Sequence, residues 1–275
     1  MSGAGEARRA IFVTGAASGM GEATVRLFAE RGWFVGGYDV DAAGLDRLAE
    51  VIGSDRGIFG VLDVTDADAF AAALAAFGVA SGGRLDLLHN NAGIIAQGLF
   101  ADMEWATIER ILRINLFGPM IGIRAALPLL RATRGALVMT TCSASAIVGA
   151  PRLVAYSASK HGVRGMTEGL AAELALEGIR VADVLPGIID TAMIPPEAKG
   201  HFPAEGMWRL LPPSAVAEAV WEAYHADKLH SYVPPELIEH ERIALEQPEV
   251  VRDEAAARLR ETLREEDGPV PTRFP

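Results

Sequence analysis

Tyr156 and Lys160 stand four residues apart in the run Tyr-Ser-Ala-Ser-Lys, so a helix through them presents both on one face. An ammonium beside a phenol favours the phenolate and lowers the tyrosine pKa. Tyr156 is then suited to give a proton to a carbonyl oxygen or to take one from a hydroxyl, while Lys160 can also hold a ribose hydroxyl. Ser143 precedes Tyr156 by 13 residues and follows a strand-like run. The intervening turn can bring its hydroxyl across from the phenol, where it would hold a substrate oxygen. Asn115 interrupts the apolar run Ile114-Asn-Leu-Phe, and a buried amide is costly unless hydrogen-bonded. It either braces a bent helix or anchors a water that reaches Lys160. Taken singly, each residue also has a plainer reading, since i,i+4 pairs and loop serines are common. Cys142 has no evident histidine partner that would make it a nucleophile.

A second set of residues suits a dinucleotide. The strand-like run 10–14 leads into Gly15-Ala16-Ala17-Ser18-Gly19-Met20-Gly21 and then a helix. Gly15 permits a tight turn, Gly19 lets the main chain approach a pyrophosphate, and Gly21 lets the helix lie close to the sheet. The helix N-terminus adds donors and a favourable dipole. The spacing is GxxxGxG and not GxGxxG, so alone it also fits an ordinary glycine-rich turn. Asp39 follows Gly21 by 18 residues, at the end of the next strand-like run, placed to accept from ribose hydroxyls. A 2′-phosphate there would set two anions together, and neither Ser18 nor Val40 supplies a counter-charge, so NAD is expected in preference to NADP. Asp63 can accept from the adenine amino group, with Val64 offering main-chain polarity beside it, or it can simply cap a turn. Asn90-Asn91-Ala92-Gly93 joins amides that can tie turn backbones together to small residues that admit a planar cofactor.

Positioning these groups requires alternating elements. Short apolar runs at 10–14, 33–38, 57–62, 85–89, 136–140, 180–185 and 231–233 read as strands. Between and after them, helical patterns occupy 19–30, 42–51, 67–77, 105–130, 155–176, 215–225 and 249–260. Nearly all-apolar strands separated by helices predict a parallel sheet covered on both faces. Pro128 falls near the end of the long 105–130 helix, and Pro119 marks a kink in it. The stretch 188–213 loosens around several prolines and carries Met193, Phe202, Met207, Trp208 and Leu210. It is expected to cover a site for an aliphatic or aromatic substrate, with simple packing as the alternative. The expected layout is a flexible 1–9, one catalytic domain over 10–245, and an extension over 246–275 that frays from 265 onward.

Composition bounds the rest. The 275 residues are 50% hydrophobic and 22% charged, enough for one large packed domain. With 25 Lys plus Arg against 36 Asp plus Glu, the net charge of -11 argues against a nucleic-acid partner. A single cysteine excludes an internal disulfide and a thiol-rich metal cluster, and no HExxH occurs, so no metal is expected. No apolar run approaches the roughly 20 residues of a membrane span, and the start lacks a secretory core; a cytoplasmic protein without a membrane partner is expected.

The ordered motifs resemble the classical short-chain dehydrogenase/reductase family across about residues 10–191. Residues 14–21 match its nucleotide loop, 90–93 its NNAG element and 156–160 its YxxxK motif. Pro186-Gly187 with downstream Thr191 match its PG motif, and Ile188 offers a main-chain group to a carboxamide. The resemblance implies a three-layer α/β Rossmann fold with a doubly wound, mainly parallel, seven-stranded sheet. It implies Asn115, Ser143, Tyr156 and Lys160 as catalytic residues. It also implies cofactor contacts by Gly15, Ser18, Gly19, Met20, Gly21, Asp39, Asp63, Val64, Asn91, Ala92, Gly93, Tyr156, Lys160, Pro186, Gly187, Ile188 and Thr191. The activity expected is NAD-dependent interconversion of a secondary alcohol and a ketone on a largely apolar small molecule, by a homo-oligomer, tetramer or dimer. A biosynthetic carbonyl reductase using the same site and a NAD-binding regulatory or scaffold protein are the alternatives. The chain departs from the family at its end, where Tyr232-Val233-Pro234-Pro235 and an acidic tail replace the usual glycine-rich segment.

Overall fold

The computed structural model describes residues 8–266. Seven strands form one sheet in the order β3-β2-β1-β4-β5-β6-β7, and every neighbouring pair is parallel. They are β1 (Ala10–Thr14), β2 (Phe34–Asp39), β3 (Gly57–Val61), β4 (Leu87–Asn90), β5 (Leu137–Thr141), β6 (Arg180–Pro186) and β7 (His230–Val233). β1, β4 and β5 are buried along their whole length. This explains why their leading residues are apolar without alternation, since both faces are covered, while polar residues gather at their carboxyl ends.

Successive side chains point to opposite faces, and two cores result. On one face Ile11, Val13, Val35, Leu87 and Met139 meet α1 (Gly19–Glu30), α2 (Ala42–Ile52) and α7 (Pro213–His225). On the other, Phe12, Leu88 and Val138 meet α3 (Ala67–Ala80), α5 (Gly118–Ala132) and α6 (Val154–Ala175). Phe12 stacks on Tyr38 at 4.3 Å between ring centroids and meets Phe77 edge-on at 5.4 Å.

The expected continuous helix over 105–130 is not one helix. It divides into α4 (Trp105–Leu112), a π-helical turn at Arg113–Phe117, and α5. The Gly118 N–H closes onto the Arg113 carbonyl five residues back, and Pro119 has no N–H to give to the Asn115 carbonyl four residues back. Pro119 therefore acts in the first turn of α5, next to an inserted turn that carries Asn115.

The ends also differ from expectation. Arg8, within the segment expected to be flexible, donates to the carbonyls of Gly32, Trp33 and Asp55. Residues 1–7 lie outside the described residues, as do 267–275 of the expected frayed tail. A helix α8 (Leu237–Glu246), which the apolar pattern did not single out, precedes α9 (Pro248–Glu266). The 188–213 loop holds a short 3₁₀ turn at Pro196–His201 and is closed at its base by Ile189 pairing with Leu211. Among the described residues no helix is long and apolar enough to cross a membrane.

Register sets Asn90, Thr140, Asp183 and His230 side by side across four strands. Asp183 is 0% exposed, and its Oδ1 lies 2.7 Å from His230 Nδ1. Burial raises the Asp183 pKa and the His230 contact opposes the rise. Removing one partner of a buried pair costs about 3–5 kcal/mol, so His230→Ala is expected to lose about that much in urea denaturation at neutral pH. A folded pKa raised above the unfolded one favours folding below it and costs stability above it. The deficit of the variant should therefore shrink as pH falls through the raised Asp183 pKa; a deficit that grows on acidification would contradict the pairing.

Candidate active site

The chain leaves β1 toward α1 on one face and leaves β4 toward α4 and α5 on the other, so a crevice opens between their carboxyl ends. Gly15 stands at its rim with φ of +66°, in the left-handed region, and a Cβ there would lie 2.8 Å from Ala92 Cα. A Cβ on Gly21 would lie 2.0 Å from the Gly15 carbonyl oxygen, so the first turn of α1 reaches the loop only without a side chain.

Asn91 holds the crevice together. Its Nδ2 donates to the carbonyls of Thr14 at 3.1 Å and Gly15 at 3.2 Å, while its Oδ1 accepts from Thr141 Oγ1 at 3.1 Å. Thr14 Oγ1 in turn accepts from the N–H groups of Asn91 and Ala92. Because Thr141 gives its hydrogen to Asn91, His89 Nε2 must donate to Thr141 Oγ1, at 2.9 Å. Burial pulls the His89 pKa down to about 3, so the ring is neutral with Nδ1 bare.

A cleft of about 650 Å³ runs from this rim. Of the residues singled out from sequence it brings together Gly15, Ser18, Gly19, Met20, Asp39, Asp63, Val64, Asn91, Ala92, Gly93 and Thr191. Gly21, Pro186, Gly187, Ile188 and the four proton-transfer candidates are not in its lining. Asp39 accepts from the N–H groups of Ala17 at 3.0 Å and Asp41 at 3.1 Å, so its carboxylate is fixed at the cleft edge. Asp63 accepts from Thr65 N at 2.9 Å and Thr65 Oγ1 at 2.8 Å, a turn cap that also faces the cleft. The Ile188 carbonyl accepts from Leu211 N–H at 2.9 Å.

The opposite wall was not found from sequence. It is α4, contributing Ala106, Glu109 and Arg110, followed by Arg113 and Ile114 of the π turn. Arg113 donates to Glu109 Oε1 at 2.7 Å, which cancels one charge. The helical spacing of these residues was visible, but which face meets the cleft depends on the rotation that the π turn introduces. Volume, cradle and anchored ribose-side carboxylate together fit a dinucleotide, whose pockets typically span about 300–1,000 Å³.

Beyond Gly93 the proton-transfer candidates gather. A Cβ on Gly93 would lie 3.3 Å from Asn115 Oδ1 and 3.8 Å from Lys160 Nζ. Lys160 Nζ donates to the Thr141 carbonyl at 2.8 Å and lies 5.6 Å from the Tyr156 ring centroid. Burial pulls its pKa down to about 8. Ser143 accepts from Ser145 N–H at 3.1 Å, which leaves its own hydrogen for the Tyr156 oxygen. The expectation that Lys160 lowers the Tyr156 pKa is reversed: burial pushes the phenol up to about 12, and the Ser143 hydrogen bond opposes that rise. Desolvation of the phenolate outweighs an ammonium that lies over the ring and itself leans on a main-chain carbonyl.

Both ends of the Asn115 amide are used. Oδ1 accepts from Ile94 N–H at 2.8 Å, and Nδ2 donates to the Ile94 carbonyl at 2.9 Å and to Ser159 Oγ at 3.3 Å. Ser159 in turn donates to the Tyr156 carbonyl. The side chain thus braces the segment after β4 against the helix that carries Tyr156. Both Nδ2 hydrogens are committed in this brace, and Oδ1 keeps a second lone pair.

Three comparisons place this arrangement. The chain is 36% identical over 234 residues to the cis-4-hydroxycyclohexanecarboxylate dehydrogenase of Sinomonas cyclohexanicum, covering 82% of this chain and 92% of that one. It is 37% identical over 184 residues to the momilactone A synthase of Oryza sativa subsp. japonica, and spans just under two thirds, 66%, of each chain. The crystal structure of a 3-ketoacyl-(acyl-carrier-protein) reductase from Brucella melitensis complexed with NADH superposes with a TM-score of 0.74 at 29% identity, over 82% of this chain and 96% of that one. The family model for short chain dehydrogenases matches residues 9–200. With that match over most of the chain, a doubly wound parallel sheet and the YxxxK helix beside its crevice, the protein belongs to the classical short-chain dehydrogenase/reductase family.

Proposed function

We propose that the protein is a NAD-dependent oxidoreductase that interconverts a secondary alcohol and a ketone, with Tyr156 as its acid-base group. The observation that carries this reading is the gathering of Asn115 and Lys160 against Gly93 of the cleft, with the Tyr156 ring 5.6 Å from Lys160 Nζ. A bound nicotinamide would accept or supply the hydride. Gly15, Ser18, Gly19, Met20 and Gly21 would hold the pyrophosphate, Asp39 the adenosine ribose, and Asp63 with Val64 the adenine. Asn91, Ala92, Gly93, Pro186, Gly187, Ile188 and Thr191 would frame the nicotinamide half.

Ser143 orients the substrate oxygen and donates toward the phenol. Tyr156 takes the hydroxyl proton during oxidation and returns it during reduction. Lys160 would hold the cofactor ribose and relay the proton to solvent through a water that donates to the Asn115 main-chain carbonyl, which Pro119 leaves without its helical donor. The 188–213 loop, with Met193 partly exposed in the cleft lining, supports an apolar substrate. The alicyclic ring in the name of one relative, the cis-4-hydroxycyclohexanecarboxylate dehydrogenase, points the same way.

NAD is favoured over NADP by the fixed Asp39 carboxylate, which a 2′-phosphate would approach at like charge. Asp39→Ser is expected to lower the NAD-to-NADP ratio of kcat/KM by about tenfold or more; wild-type enzyme that already prefers NADP would overturn this assignment.

General acid-base groups contribute roughly 10²–10⁴ in rate, so Tyr156→Phe should lose about that factor in kcat across a panel of cyclic and aromatic secondary alcohols. NADH affinity, read from nicotinamide fluorescence, should change less than about twofold. Retained turnover would remove Tyr156 from the chemistry, and NADH binding without turnover by the wild type would favour a regulatory protein.

Alcohol oxidation uses the unprotonated phenol, so its rate should climb with pH toward the raised Tyr156 pKa. Ser143→Ala deletes the hydrogen bond that holds that pKa down. Its oxidation profile should move to higher pH in addition to losing rate, and a shift to lower pH would be incompatible with the proposed donor direction.

A further inference from the structure

The 188–213 loop is fastened to two different parts of the molecule. Its first arm supplies Thr191, Ala192 and Met193 to the cleft. Its base is a short ladder in which Asp190 N–H donates to the Leu211 carbonyl at 2.8 Å and Leu211 N–H to the Ile188 carbonyl at 2.9 Å. The far arm leans on α8. The Trp208 indole meets the His240 ring edge-on at 5.2 Å and 79°. Arg209 donates to the Glu236 carboxylate at 2.9 Å and to the Gly206 carbonyl at 2.7 Å.

α8 is in turn tied to the helix that carries Tyr156 and Lys160. Glu241 pairs with Arg164, four residues beyond Lys160 on the same stripe of α6, and accepts from the Tyr232 hydroxyl of β7. α9 closes the far side, where its Glu254 and Arg258 are the charged groups that act on His240. One short helix thus contacts the loop through Trp208 and Arg209 and the proton-transfer helix through Arg164. These contacts lie in the part of the chain where the usual glycine-rich ending of the family is replaced.

We propose that α8 is a positioning element for catalysis, with Trp208 and Arg209 as the residues through which it holds the 188–213 loop over the substrate and the nicotinamide end of the cleft. The proposal rests on the reading of the cleft as a NAD site and of the loop as its cover. Neither Trp208 nor Arg209 reaches the reacting atoms. They act by restricting the arm opposite Thr191 and Met193, so that loop order already exists when substrate arrives. The consequence is a contribution to retention of substrate and cofactor with little effect on the chemical step.

Trp208 is 39% exposed, so its replacement leaves both cores intact. The test compares wild type with Trp208→Ala, Trp208→Phe and Glu236→Gln. Hydrogen exchange of 188–213 is followed by mass spectrometry, together with NADH affinity and, for the best alcohol of the panel, KM and kcat. An aromatic contact of this kind corresponds to about three- to tenfold in an equilibrium. Trp208→Ala should accelerate exchange in the loop by about that factor and raise KM similarly, with kcat within about twofold. Glu236→Gln should do the same to a smaller degree, and Trp208→Phe should restore most of the protection. Unchanged exchange and KM in Trp208→Ala would overturn the proposal, as would a fall in kcat alone. Faster loop exchange in Trp208→Ala, alongside a wild type that neither binds NADH nor turns over, would uphold the tether and overturn the NAD reading.

Discussion

Two adjacent strands that send their chains to opposite faces must part at their carboxyl ends, and the site depends on holding that parting at a fixed width. In this protein the strands are β1 and β4, and the hold is Asn91, whose amide joins Thr14 and Gly15 on one side to Thr141 on the other. The same Thr141 offers its carbonyl to Lys160. The clamp that shapes the nucleotide rim therefore also fixes the ammonium beside Tyr156, and neither half of the site can shift without the other. Small residues around the clamp follow from distance: with a Cβ at Gly15 or Gly21, the loop, the helix and Ala92 could not approach as closely as they do.

Burial and pairing compete within the group proposed to transfer the proton. The phenol is pushed up and the ammonium down because both charges have left water, so two ordinarily similar values move apart, to about 12 and about 8. Ser143 is the neighbour that works against the phenol's rise, through one donated hydrogen bond. Asn115 serves the same group at one remove, since its amide is spent bracing Ile94 against Ser159 and the turn that bears Tyr156.

Much of this was legible in the sequence because the chemistry restricts residue type. The parallel sheet covered on both faces follows from apolar runs alternating with helices, and Gly15, Gly21, Asp39, Asn91, Tyr156 and Lys160, ordinary one by one, are distinctive in their joint order along the chain. The missing parts depend on three-dimensional facts that spacing does not encode. The π turn at Arg113–Phe117 interrupts the regular helical spacing between α4 and α5, and Arg110 of α4 and Arg113 of the turn line the cleft wall. The direction of the Tyr156 shift depends on the balance between burial and an ammonium engaged elsewhere, and an i,i+4 pattern reports only the ammonium. α8 carries its contacts to Trp208, Arg209 and Arg164 across long sequence separations, so no local pattern announces them.

The polar row through Asn90, Thr140, Asp183 and His230 bears on how the sheet is completed. β7 is an outer strand, and such strands can pair with the wrong partner or in the wrong alignment. A slide of one residue would turn His230 to the other face and set Ser231 beside Asp183; a slide of two would set Tyr232 there. Either leaves a carboxylate in the interior without its imidazole, at a cost of several kcal/mol. Asp183 thus works as a key cut for a single lock: it admits the chain's own last strand in one alignment and makes a foreign strand a poor substitute.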